Sequence, residues 1–387
     1  MTTAAARRAY TGPALFSFGF RPFFLTGTIW AALVVPLWVW SFMAGGPGAL
    51  TRGWHVHEML FGYLAAVIAG FLTTAIPNWT GRMPVIGAPL AGLFGLWVAG
   101  RLAMLFGGPA AAIVDPLFLI AFAGVIWREV LAGKNWRNLP VCLLVSLYAL
   151  ANLAWHVWPD ETGLALGARL GLAVAVLLIT LIGGRIVPSF TRNWLKARGE
   201  VALPAAPGRF DLAVLGLTGV AVLLWAAVPD LKAAGALLLA AGLGNLARLA
   251  RWRGWRAGAE ALVWILHLGY AWLGLGLALL GATVLWPHVP ATAGVHALTA
   301  GAVGVMTLAV MSRATRGHTG RALHADRWTV AVYLGINAAA LSRVAAPFAG
   351  ASQPALLELS AALWTLAFAG FALTYGRMLA LPRPAAA

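Results

Sequence analysis

The chain has 387 residues, of which 61% are hydrophobic and only 10% charged, with a mean hydropathy of +0.84. A soluble domain is closer to half apolar and a quarter charged, so this composition excludes a soluble enzyme or binding module and describes an integral membrane protein. The formal net charge of +16 would suggest nucleic acid in a soluble chain, but in a membrane protein basic residues hold cytoplasmic loops against translocation, and no nucleic-acid partner is expected.

The single cysteine, Cys142, lies in an apolar run, so no disulfide within the chain and no Cys-x-x-Cys-His attachment of haem is available. Arg7 and Arg8 precede a full apolar span without a cleavage site, and they read as topology charges rather than part of an export signal.

In chain order, stretches of about 20 apolar residues, enough to cross a bilayer, fall at 23–43, 58–77, 86–106, 109–127, 138–158, 164–184, 210–229, 231–250, 259–284, 291–312, 328–349 and 354–380. The expected fold is an all-α integral membrane protein of about twelve transmembrane helices, one polytopic domain over 1–387, with the lipid bilayer as its surroundings. Tight links at Gly107-Gly108-Pro109 and Pro229-Asp230 make spans 3/4 and 7/8 helical hairpins. With the N-terminus inside, all of the 27 lysines and arginines fall on inner segments except Arg52, Arg101, Arg169, Lys232 and Arg343. That asymmetry puts both termini in the cytoplasm. Trp54, Trp79, Trp158, Trp194, Trp286 and Trp328 stand near expected helix ends, where indole rings anchor in the headgroup layer.

Spans 2, 6 and 10 run in one direction and end in related patterns: Ile76-Pro77-Asn78-Trp79-Thr80, Val187-Pro188-Ser189-Phe190-Thr191 and Met311-Ser312-Arg313-Ala314-Thr315. Three four-helix units, near 10–130, 131–250 and 251–387, would place these helices at equivalent positions.

The chemistry is expected around Trp54-His55-Val56-His57-Glu58-Met59 at the outer end of span 2. Imidazole is the commonest protein metal ligand. If both histidines are helical they point about 200° apart and cannot share one ion; an extended approach to Glu58 would let them converge. Glu58 suits a helix start, or a hydrogen bond that fixes a ligand histidine's tautomer. Gly62, Ala66, Gly70 and Thr74 form a stripe that admits a helix or a flat cofactor. His296, near the outer end of span 10, precedes Gly301 and Gly304. A histidine on each of helices 2 and 10 at one depth is the arrangement for a haem held by two imidazoles, His57 and His296. Their alternative is interfacial or interhelical hydrogen bonding. His267, deep in span 9, reads equally as structural or as a metal ligand. His156 reads as an interface residue and His288 as a loop residue. Arg343, in the outer half of span 11, needs an anionic partner, for which a propionate or Glu58 would serve.

These blocks resemble the NnrS family of haem- and copper-containing membrane proteins of the bacterial nitric-oxide response. The resemblance rests on Phe18 to Phe24, Trp54 to Gly62, Ile76 to Arg82, Gly184 to Pro188, and His296 to Arg321. It implies an inner-membrane protein with non-covalent b-type haem and copper, handling nitric oxide or iron-nitrosyl species under nitrosative stress and linked to denitrification. Copper comes from the resemblance alone; His55 stands first among its candidate ligands, with His288 as an outer partner, and His267 second. The threefold pattern also resembles the large subunit of haem–copper oxidases, but span 6 has no histidine and span 7 no histidine pair. The oxidase copper site is therefore missing, and reductase activity is not supported. A twelve-helix transporter of a small solute or metal is the alternative function.

Overall fold

The computed structural model describes residues 10–45, 50–158 and 164–383. Arg7 and Arg8 lie outside the described residues. Among these residues there is no β-strand, and twelve helices are long and apolar enough to cross a membrane. They are α1 (Phe20–Ala44), α2 (Arg52–Thr80), α3 (Ala88–Phe106), α4 (Gly108–Ala132), α5 (Trp136–Val157) and α6 (Leu166–Lys196), followed by α7 (Arg209–Ala227), α8 (Lys232–Ala250), α9 (Ala261–Leu285), α10 (Ala291–His318), α11 (Arg327–Phe348) and α12 (Gly350–Ala380). The chain is a multi-pass membrane protein. Apolar side chains cover these helices nearly all round, as they must where lipid replaces water, and the backbone polar groups pair within each helix.

Three helices differ from the rest. In α2, α6 and α10, 83%, 67% and 78% of the apolar window is buried, against half or less in the other nine. Each of the three carries a π-helical segment, at Glu58–Leu64, Ile179–Gly183 and Ala297–Val303 respectively.

The chain divides into two compact units. The first comprises Met1–Gly171, Ala314–Arg321 and Phe371–Ala387; the second comprises Leu172–Arg313 and Ala322–Gly370. In the first unit α1 fills the small-residue stripe of α2. The Phe24 ring and the Phe23 Cβ lie where a side chain at Gly70 would go, and Gly27 sits over Ala66. The stripe therefore receives a helix and not a flat cofactor. Arg21, expected as a topology charge, is buried and donates to the carbonyls of Met378, Leu379 and Leu381 at 3.2, 3.0 and 2.7 Å. These are last-turn and adjoining carbonyls of α12, which have no partner within their own helix. Trp54 is also buried, at 4% exposure, so it is no headgroup anchor, whereas Trp158, Trp286 and Trp328 are exposed.

In the second unit, Arg248 of α8 is buried among Asp211 of α7, Tyr270 of α9 and the Thr180 carbonyl of α6. The space beside Gly301 and Gly304 of α10 is taken by the indoles of Trp272 and Trp364. The planar groups those glycines admit are tryptophan side chains.

Candidate metal centre

α2 begins at Thr51, whose Oγ1 accepts the amide of Trp54 at 3.0 Å, and Arg52–His57 is regular helix. His55 and His57 are thus both helical and diverge. His55 stacks on Trp38, with ring centroids 5.4 Å apart, and His57 turns into the first unit with no exposure at all. Glu58 stands nearly two turns into α2 and opens its π segment, so it is no cap of the helix start.

The tight link between α3 and α4 sets Arg101 against Asp115. Gly107 and Gly108 both adopt positive φ, which glycine reaches without strain, and the two helices run back along each other. Arg101 and Asp115 each lie between one and two turns from that link, and a guanidinium nitrogen of Arg101 donates to Asp115 Oδ1. The other terminal nitrogen donates to both carboxylate oxygens of Glu58 at 2.7 Å. Glu58 also accepts Trp30 Nε1 at 2.7 Å. Room for this junction comes from Gly62: a Cβ there would lie 2.7 Å from Arg101 Nη1, 2.8 Å from Glu58 Oε2 and 3.0 Å from Trp30 Nε1.

His57 bridges the two carboxylates. Its Nδ1 is 3.0 Å from Glu58 Oε1, and its Nε2 is 3.0 Å from both Asp115 Oδ2 and Asn152 Oδ1. On α5, Asn152 and His156 are four residues apart and share a face. Asn152 Nδ2 donates to Asp115 Oδ2 at 2.8 Å, and His156 Nε2 lies 3.1 Å from the same oxygen. Glu58, Arg101, Asp115 and Asn152 are at most 3% exposed. Charges so enclosed persist only when paired and hydrogen-bonded, and here every carboxylate oxygen has a partner.

One atom each from His57, Asp115 and His156 lies within 4.8 Å of the other two, and among the described residues this is the one group of three or more such side chains able to hold a metal. The Glu58 contact to Nδ1, the carboxylate–histidine arrangement that orients metal ligands, makes Nε2 the ligand atom of His57. There an ion would take the place of the proton that Nε2 donates to Asp115 Oδ2 and Asn152 Oδ1. The residues present fit a metal ion.

The other expected site residues are not members of this group. His296 Nδ1 lies 2.8 Å from the Thr292 carbonyl, which can only accept, so Nδ1 donates. His296 belongs to the second unit and His57 to the first. His267 donates from Nε2 to Thr191 Oγ1 at 2.8 Å, since that hydroxyl spends its own proton on the Val187 carbonyl. Its Nδ1 is buried without a hydrogen-bond partner and lies against Gly254. His288 is exposed in the turn between α9 and α10. Arg343 is half-buried, and among the described residues no carboxylate pairs with it; Glu58 is committed to Arg101.

The sequence does not single out Asp115 or Asn152, and it marks Arg101 only as a charge off the inner segments and His156 only as an interface residue. The available signal was an arginine and an aspartate inside two apolar helices, on either side of a two-glycine link that must face them toward each other.

The family model for the NnrS protein matches residues 14–383. The chain belongs to the NnrS family. No curated protein matches it. The match takes in every helix of this NnrS chain and the whole buried cluster.

Proposed function

We propose that this NnrS protein binds haem and copper in the bacterial inner membrane, with both termini cytoplasmic, and acts in the response to nitric oxide by binding or handling nitric oxide or iron-nitrosyl species in organisms that denitrify. The observation that carries this reading is the convergence of two imidazoles and a carboxylate between membrane-spanning helices, with His57 and Asp115 fully buried. Ionisable groups at such depth are costly and mark a functional site. A bound haem or copper ion supplies the affinity for nitric oxide that apolar helices lack. The chain's own part is to orient imidazoles and exclude water.

For haem, His296 is the better-supported axial ligand. Its Nδ1–H on the Thr292 carbonyl fixes the orientation of the ring, as such second partners do for ligand histidines. Arg343, half-buried and without a carboxylate, suits a propionate. His57 as the second axial ligand would have to give up Asp115 and Asn152. For copper, His55 and His267 stay candidates, and the buried, unpartnered Nδ1 of His267 has the lone pair that a metal needs.

The test is the visible spectrum of the purified protein. A Soret band is expected, which His296→Ala abolishes or shifts to the five-coordinate form. A wild-type protein without a Soret band would sink the haem part, and a His296→Ala protein with an unchanged six-coordinate spectrum would remove His296 from it.

A further inference from the structure

Resting on the reading of the chain as a metalloprotein, we propose that His57, Asp115 and His156 bind a divalent first-row ion in a two-histidine, one-carboxylate centre distinct from the haem. Asn152 flanks this centre, and Glu58 with Arg101 forms its outer layer.

Four features support the assignment. The first is spacing. Ligands about 2.1 Å from one ion, at angles between octahedral and tetrahedral, stand about 3.0–3.4 Å apart. Both imidazole Nε2 atoms lie at such distances from Asp115 Oδ2, at 3.0 and 3.1 Å. Asp115 Oδ2 is thus spaced as a shell neighbour of each imidazole, and the two imidazoles lie within 4.8 Å of each other.

The second is division of labour within Asp115. Arg101 holds Oδ1, which leaves Oδ2 to face both imidazoles. The third is the Glu58 contact to His57 Nδ1, which Arg101 anchors from behind. Outer partners of this kind fix ligand rings, and their loss weakens metal binding by about 10–100-fold.

The fourth is chemistry. The donor set is two imidazoles and a carboxylate with an amide beside them, and it contains no sulfur; Cys142 sits ten residues before Asn152 on α5, about 15 Å along the helix. Imidazole and carboxylate suit iron(II), zinc and copper(II), whereas copper(I) prefers thiolate or thioether. Two carboxylates facing one guanidinium also leave a negative charge that a bound cation neutralises. His156, at the half-buried rim near the end of α5, gives an ion its way in.

The experiment uses full-length protein in detergent, stripped with a chelator and titrated with Co2+, followed by metal analysis after gel filtration and the high-spin Co(II) electron paramagnetic resonance signal. One retained equivalent is expected in the wild type and in His324→Ala, a change at an exposed histidine that pairs with Glu260. Affinity should fall at least ten-fold in His156→Gln and in Asp115→Asn. His156→Gln changes a side chain at the rim, so its fold should survive, as elution volume and helicity will report. Its Soret band, if the wild type has one, should be unchanged. No Co2+ retention in the wild type would overturn the proposal, leaving the cluster as an ion network balanced by a proton on His57. Equal affinity in a folded His156→Gln and in Asp115→Asn would overturn it too. Failure here with a Soret band present would leave the haem reading standing, and Co2+ binding without haem would do the reverse.

Discussion

At the scale of the residue, Gly62 is where the buried cluster finds its space. Arg101, Glu58 and Trp30 all crowd the position its Cβ would occupy, and two of the three are charged groups locked by each other. A methyl group there cannot be accommodated by moving a flexible chain end, because each neighbour is committed. Gly62→Ala should lower stability by about 1–3 kcal/mol, the usual cost of overpacking. Gly92→Ala is the control: nothing lies within 4 Å of that position on α3, and exchanging glycine for alanine inside a helix stabilises by up to about 1 kcal/mol. Unfolding of the detergent-solubilised variants by heat or by denaturing detergent checks both. Equal stability of the two would show that the junction has slack.

At the scale of the element, the π segments set carbonyls free. A π turn shifts backbone pairing from i+4 to i+5, so a carbonyl at the transition loses its regular partner, and in hydrocarbon an unpaired carbonyl costs several kcal/mol. Neighbouring helices supply donors. In α2, Tyr148 OH donates to the Leu60 carbonyl and Trp97 Nε1 to that of Gly62 at 2.9 Å. In α6, Arg248 Nη1 adds to the Gly184 amide as a second donor to the Thr180 carbonyl, at 3.1 Å. The π segment of α2 also begins at Glu58, so it sets the angle at which Glu58 and His57 enter the cluster. Tyr148→Phe should cost about 1–3 kcal/mol through the orphaned Leu60 carbonyl, and Trp97→Phe less, because the Gly62 carbonyl keeps the Ala65 amide. Amide hydrogen exchange in residues 58–64 should accelerate in both. Unchanged exchange there would mean that these side chains do not hold the π turn. Nothing in the local sequence announces it, since Leu60 and Gly62 are ordinary helix residues until a donor on another helix reaches them.

At the scale of the whole molecule, the twelve helices carry a charge asymmetry that predicts their direction. A reporter fused after Arg198 or Arg253 should score as cytoplasmic, and one at Pro287 as external; an external signal at Arg198 would sink the twelve-span topology. We further propose that the chain is built from three four-helix units with α2, α6 and α10 in equivalent places. These are the most enclosed helices and the three that carry π segments, which is what equivalent positions would produce. Separating His57 from its partners shows how far the site depends on assembly: His57 and Glu58 come from α2, Arg101 from α3, Asp115 from α4, and Asn152 and His156 from α5.

The number of helices, their apolar composition and their family were legible along the chain, because lipid imposes a minimum length and a composition on every span separately. Their full lengths were not: α2, α6 and α10 run several residues beyond the expected 58–77, 164–184 and 291–312. The blocks from Phe18 to Arg321 sufficed for NnrS. The partners of His57 were not legible. Which intramembrane charge meets which depends on helix rotation and on the local π turn, and both are decided by packing between helices. Glycines at 62, 70, 301 and 304 announce a close approach in one dimension, yet only the folded chain says that what approaches is a guanidinium, a phenyl ring or an indole. His156, which the sequence places at an interface, becomes a candidate ligand because α4 carries Asp115 to within 3.1 Å of it.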